Sequence, residues 1–156
     1  MEFLSFSTAF GEMALGEEEG AVVRLYLPNT PTPRLVPRET PLLVEGRRQV
    51  LEYLAGVRCV FDLPLAPQGT PFQKRVWGSL ADIPYGQKRT YREIALAVCC
   101  PRGFRAVGMA CNRNPIPIII PCHRVVGAGG GLTGYAGGVE LKQLLLELEQ
   151  KKADLS

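Results

Sequence analysis

The chain has 156 residues, 46% of them hydrophobic, with a formal net charge of +3 and an isoelectric point near 8.7. That apolar content is enough for an independent core, while the modest positive balance permits contact with a polyanion without establishing it. The opening stretch MEFLSFSTAFGEMALGEEEG carries acids where a signal peptide needs bases and an unbroken apolar run, and no stretch reaches the ~20 apolar residues that span a bilayer; the expectation is a protein of the cytoplasm, or of the nucleus in a eukaryote, with no membrane partner.

In chain order, FLSFSTAF and AVVRLYL read as strands, GEEEG as a turn, RRQVLEYLAG as a helix closed by Gly56, and RCVFDLPL as a further strand. These make residues 1–65 a small α/β domain, followed by a Pro/Gly/Thr linker over 66–71 and a second domain over 72–156. In the second domain TPFQ, from Thr70 to Gln73, has capping-box spacing with Pro71 at the first helical position, and Phe72, Val76, Leu80 and Ile83 follow at helical intervals. TYRE, from Thr90 to Glu93, repeats the box and opens a short helix to about Val98. Pro101 opens a third, with Phe104, Val107 and Cys111 on one face. Two short helices separated by a few residues make a helix-turn-helix candidate, although two packed helices more often form plain core. NPIPIIIPCHRVV, residues 114–126, reads as a short buried strand because Ile118, Ile119 and Ile120 are β-branched, framed by Pro115, Pro117 and Pro121. A last helix from about Glu140 to Lys151 carries Leu141, Leu144, Leu145 and Leu148 on one stripe, with Glu149 at its edge beside Leu145 and Lys142. By position alone Glu149 is a solvated acid.

The five cysteines (59, 99, 100, 111 and 122) form an odd set without a C-x-x-C pair, the pattern of reduced thiols. Cys122 stands out because it adjoins the only histidine, His123, on a proline-stiffened path. A thiol attacks as thiolate and needs a base. Neighbouring side chains diverge, so His123 would act through one ordered water, with an acid elsewhere holding its far nitrogen. A buried small hydrophobe remains the ordinary alternative for Cys122, and a structural histidine for His123. One histidine and cysteines spaced in this way match no common zinc site, so neither metal nor cofactor is expected.

PCHRVV, preceded by NPIPIII and followed by GYAGGVELKQLLLELE, closely resembles the active-site region of the O6-alkylguanine-DNA alkyltransferases, also called methylated-DNA-protein-cysteine methyltransferases. The likeness extends through TPFQKRVWGSLADIPYGQKRTYREIA and FRAVGMACNRNP, covering essentially residues 70–151. It implies a ribonuclease H-like small sheet in the α/β N-terminal domain and a mostly helical C-terminal domain with a helix-turn-helix. It makes Cys122 the alkyl acceptor, His123 the water-relayed base, Glu149 the acid that orients it, Asn114 the tie between helix-turn-helix and active-site segment, and Tyr91 the residue that rotates the nucleotide and donates to the base. Arg105 corresponds to an arginine finger that fills the gap left by a flipped nucleotide. DNA contacts are expected from Arg105, Tyr91, Gly103, Phe104, Ala106, Gly108 and Arg124, and pocket lining from Pro117, Val125, Thr133, Tyr135 and Ala136. Phe104 and Met109 are bulkier than is usual at their positions, and Ala136 stands where some relatives have serine. The implied activity is DNA repair by irreversible, stoichiometric transfer of an alkyl group from O6 of guanine to Cys122, by a monomer that binds double-stranded DNA through the minor groove with little sequence preference. A protein that recognises alkylated DNA without repairing it, and a cysteine hydrolase, are the alternatives.

Overall fold

The computed structural model describes residues 1–132, 135 and 137–155. It is an α/β chain divided into two compact units, one formed by Met1–Gln68 with Pro115–Ile119, the other by Gly69–Asn114 with Ile120–Ser156. No helix among the described residues is long and apolar enough to cross a membrane.

In the first unit β1 (Glu2–Thr8), β2 (Gly11–Glu18) and β3 (Ala21–Tyr26) form an antiparallel meander in the order β1-β2-β3. β2 was hidden in the sequence, and GEEEG is mostly its end rather than a turn. Its buried run Met13-Ala14-Leu15-Gly16 lacks both alternation and β-branched residues, so neither strand signal is present. Helix α1 (Pro41–Leu54) packs on all three strands and begins before the predicted RRQVLEYLAG, because Thr40 caps it by accepting from the Leu43 amide and Pro41 follows. Its glycine, Gly46, lies where a Cβ would come within 2.8 Å of a Leu15 methyl carbon, which fixes how closely helix and sheet approach. RCVFDLPL is not a strand: it contributes a single bridge, Leu65 to Val22. The later segment joins this unit through the Leu25 amide, which donates to the Pro115 carbonyl at 2.9 Å.

That segment corrects the expected strand through Ile118–Ile120. All three isoleucines are buried, but the chain turns there, and Ile118 sits at φ +72°, a conformation β-branched residues rarely adopt. Prolines at 115, 117 and 121 remove ladder donors and fix φ, so they defeat the β preference of the isoleucines.

In the second unit both capping boxes form. Thr70 and Gln73 exchange side-chain and backbone bonds at the start of α2 (Pro71–Ala81), and Thr90 and Glu93 do so at α3 (Tyr91–Ala97). Val76, Trp77 and Leu80 form the buried face of α2, and the Trp77 indole donates to the Ala110 carbonyl at 2.8 Å, tying α2 to α4 (Phe104–Asn112). α4 starts three residues later than Pro101 suggested. Gly103 is its cap, and a Cβ there would meet the Cys100 sulfur at 2.5 Å, so a side chain there requires the Cys100 thiol to move. Two short strands, β4 (Arg89–Thr90) and β5 (Val125–Val126), pair in parallel, and α5 (Val139–Leu155) ends the chain. Its buried face is Leu141, Lys142, Leu145 and Glu149; Leu144, predicted for the apolar stripe, is 45% exposed.

Candidate active site

Cys122 opens a single 3-10 turn, Cys122–Arg124, that leads directly into β5, so backbone geometry fixes the cysteine between Pro121 and a hydrogen-bonded strand. It is 5% exposed. Burial pushes its thiol up to about 11, partly opposed by a hydrogen bond from Asn114 and by the Lys142 charge. Asn114 also donates from Nδ2 to the Ile120 carbonyl at 2.8 Å, joining the two points at which the chain leaves and re-enters this unit. A thiol held this way is neutral at physiological pH and ionises only if a base takes its proton.

His123 is fully buried, and its Nε2 lies 2.6 Å from Glu149 Oε2. The carboxylate accepts, so the neutral ring carries its proton on Nε2 and has Nδ1 as the basic nitrogen. Burial holds the imidazole below its ordinary range, opposed by Glu149 and reinforced by the Arg124 and Lys142 charges. It is therefore a neutral base at physiological pH.

Glu149 is 1% exposed, which corrects its placement as a solvated acid. Besides His123, its carboxylate accepts from the Gly86 amide at 3.1 Å and from Arg124 at 2.8 Å (Nε to Oε1) and 3.1 Å (Nη2 to Oε2). Arg124, expected on DNA, is buried instead, with Nη1 donating to the Ile83 carbonyl at 2.7 Å and the guanidinium 5.6 Å from the Tyr85 ring centroid. Its donors are turned inward. Gly86 sits at φ +79°, and a Cβ there would lie 3.1 Å from that of Ala153, so glycine relieves both backbone strain and crowding where the Tyr85-Gly86 turn meets α5.

Two further groups face the cysteine. Tyr91, half-buried at the start of α3, is pushed up to about 12 by burial and by Cys111 and Cys122, so it remains a proton donor. Lys142, 1% exposed and held below its ordinary value by burial, stands 5.7 Å from the Tyr91 ring centroid, where its charge favours the Cys122 and Cys111 thiolates. Its place on the inner side of α5 beside Glu149 was visible in the helical spacing, but a lysine there reads as surface. Gly86 left no signal except the Tyr-Gly turn.

The remaining predicted residues divide. Phe104, Arg105 and Ala106 are exposed at the start of α4, with Arg92 stacked 5.5 Å from the Phe104 ring centroid and Met109 61% exposed one turn from Arg105. A Cβ on Gly108 would touch nothing closer than the Tyr91 ring at 3.9 Å, so packing does not demand glycine there. Val125 and Tyr135 are buried, with burial and the nearby Cys122 and Glu149 raising the Tyr135 phenol well above its usual value. Pro117 lies in the buried Pro115–Ile119 segment. Thr133 and Ala136 fall outside the described residues. A cavity of 340 Å³ is lined by Gly86, Lys88, Leu132, Gln143 and Glu149 among others, and by none of the predicted pocket residues that lie among the described ones.

Fold and site thus define a protein with a buried cysteine beside a hydrogen-bonded, buried histidine–glutamate pair in a small helical unit. The family described as "6-O-methylguanine DNA methyltransferase, DNA binding domain" matches residues 71–151. The constitutive methylated-DNA–protein-cysteine methyltransferase of Bacillus subtilis is 44% identical across 95% of this chain and 94% of its own. That of Methanosarcina barkeri is 58% identical over 68% of this chain and 67% of its own. Among solved structures, Mycobacterium tuberculosis OGT in complex with DNA matches with a TM-score of 0.91 and 39% identity, covering 99% of this chain and 98% of that one. The chain belongs to the 6-O-methylguanine DNA methyltransferase family.

Proposed function

We propose that this protein repairs DNA by moving an alkyl group from O6 of guanine to Cys122, once per molecule. The observation that carries the proposal is the buried His123–Glu149 hydrogen bond directly beside the buried Cys122. An O6-alkyl group lies within the base stack, so the nucleotide must be extruded first, at a cost of a few kcal/mol. Arg105, exposed at the start of α4, fills the gap. α3 and α4 act as a helix-turn-helix that docks in the minor groove, with the small Gly103, Ala106 and Gly108 letting the helix sit deep there, Phe104 at its margin, and phosphate contacts giving affinity with little sequence preference. Arg124 is left out of this surface by its burial.

In the transfer step Nδ1 of His123 takes the Cys122 proton through an ordered water, and the thiolate attacks the alkyl carbon. The S–C bond forms as the C–O6 bond breaks, and the electron pair leaves on guanine. Tyr91 donates to the departing anion, which lowers the barrier by stabilising the developing charge. Asn114 and Lys142 favour the transient thiolate. Val125 and Tyr135, both buried, form part of the pocket wall. The product is a thioether without a carbonyl for water to attack, so the thiol is not regenerated. The first unit is a ribonuclease H-like sheet joined through the 66–71 linker, and the protein works as a cytoplasmic monomer, nuclear in a eukaryote, without cofactor or metal.

Titration of a duplex carrying one O6-methylguanine tests this. Lesions removed should plateau at one per protein molecule. Repeated turnover would support a hydrolase, and tight binding without removal a recognition protein.

A further inference from the structure

We infer that Arg124 is a positioning residue of the alkyl-transfer site: by gripping Glu149 side-on it keeps that acid a carboxylate and makes His123 the place where the proton leaving Cys122 stops. The inference rests on the proposed alkyl transfer and goes beyond it, because a histidine–carboxylate pair could equally pass the proton on to the acid.

Arg124 meets both carboxylate oxygens, Nε on Oε1 at 2.8 Å and Nη2 on Oε2 at 3.1 Å, while Nη1 is anchored on the Ile83 carbonyl at 2.7 Å. The Gly86 amide adds a donor to Oε1 at 3.1 Å. A fork fixed at three nitrogens restricts the carboxylate in rotation as well as in charge. Moving a proton from His123 onto Oε2 would neutralise the acid and leave a 7%-exposed guanidinium without its counter-charge. Breaking a buried pair from one side is strongly unfavourable. With the proton on the imidazole instead, Glu149 still faces two cations it already contacts. The same grip sets the ring's tautomer, since Glu149 Oε2, held by Nη2, is the acceptor at 2.6 Å for His123 Nε2. The charged groups acting on His123 are Glu149 and Lys142 from α5, and Arg124 from its own turn.

The test uses the full chain and the variants Arg124→Lys and Arg124→Met, with three readouts: single-turnover rate on duplex O6-methylguanine and on free O6-benzylguanine, duplex affinity against salt, and the imidazole 15N signals against pH. The chain has one histidine, so those signals need no assignment. Arg124→Met should lose at least tenfold in rate on both substrates, with duplex affinity and salt slope unchanged, and its His123 signals should depart from a pure Nε2–H tautomer. Arg124→Lys should recover part of the rate, keeping the charge without the fork. A weaker duplex affinity with a salt slope reduced by about one, and a normal rate on the free base, would make Arg124 a DNA contact. A lower Tm with unchanged rate and unchanged 15N signals would make it merely structural. Should Arg124→Met not fold, the wild-type titration decides: a neutral ring protonated on Nδ1 overturns the inference. If the wild type itself accepts no alkyl group from either substrate, it is the proposed function that fails.

Discussion

Replacing Glu149 by glutamine changes almost no volume and removes one charge from a carboxylate that is 1% exposed. The carboxylate accepts from His123 Nε2, from two Arg124 nitrogens and from the Gly86 amide. An amide has one oxygen. If its nitrogen takes the Oε2 place it faces the His123 and Arg124 Nη2 donors; if it takes the Oε1 place it faces the Gly86 and Arg124 Nε donors. Either way donors oppose a donor and the buried guanidinium loses its counter-charge, a loss of about 3–5 kcal/mol. Against a total stability of ~5–15 kcal/mol this is large, and for a chain of this length it corresponds to a Tm lowered by roughly 10 °C. Urea unfolding followed by fluorescence reads it cleanly, because Trp77, the only tryptophan, is 2% exposed in the same unit. The alkylation rate should fall by about 10²–10⁴, the usual contribution of an oriented base, while duplex affinity stays within about twofold, since α3 and α4 are untouched. A wild-type alkylation rate in Glu149→Gln, or unfolding within about 1 kcal/mol of wild type, would refute the reasoning.

Arg105→Ala should slow repair of duplex DNA far more than reaction with free O6-benzylguanine, and equal losses would remove it from nucleotide flipping. Because burial holds His123 below its ordinary value, the neutral ring persists as pH falls, so the alkylation rate should stay level through 6.5 and drop only at lower pH; a midpoint at or above 6.5 would contradict the assignment. Cys122 is pushed up to about 11 from 9.0, so the unfolded chain loses that proton first, and stability present below pH 9 should decline between 9 and 11 in urea titrations; Cys122→Ala should make that decline shallower, leaving the share of Cys111, pushed up to about 12. Gly86→Ala, placing a side chain at φ +79° and 3.1 Å from Ala153, should destabilise by about 1–2 kcal/mol and slow alkylation, as measured by unfolding and single-turnover rates.

What the sequence disclosed follows the range of each interaction. The boxes at Thr70 and Thr90 are complete within four residues, so pattern alone placed two helix starts correctly. β2 escaped because its buried Met13-Ala14-Leu15-Gly16 run carries no local strand preference, only pairing to β1 and β3. Ile118–Ile120 misled because β propensity competes with three prolines, and the prolines win. Pro101 misled because the chain needs the Cys100–Gly103 turn before α4 can start. The site splits in the same way. Cys122 and His123 announce themselves as neighbours, but Arg124 and Glu149 look like surface charges until folding brings them together across 25 residues, with Gly86 joining from 63 residues before Glu149. Their burial is a property of the pair, and neither residue shows it alone.

The central claim is tested most directly by mass spectrometry of the intact protein and its peptides after mixing with a duplex containing one O6-methylguanine. The account predicts a single added methyl group, on the peptide carrying Cys122, in at most one-to-one yield. A methyl group on another residue, or lesion loss with Cys122 unmodified, would contradict it.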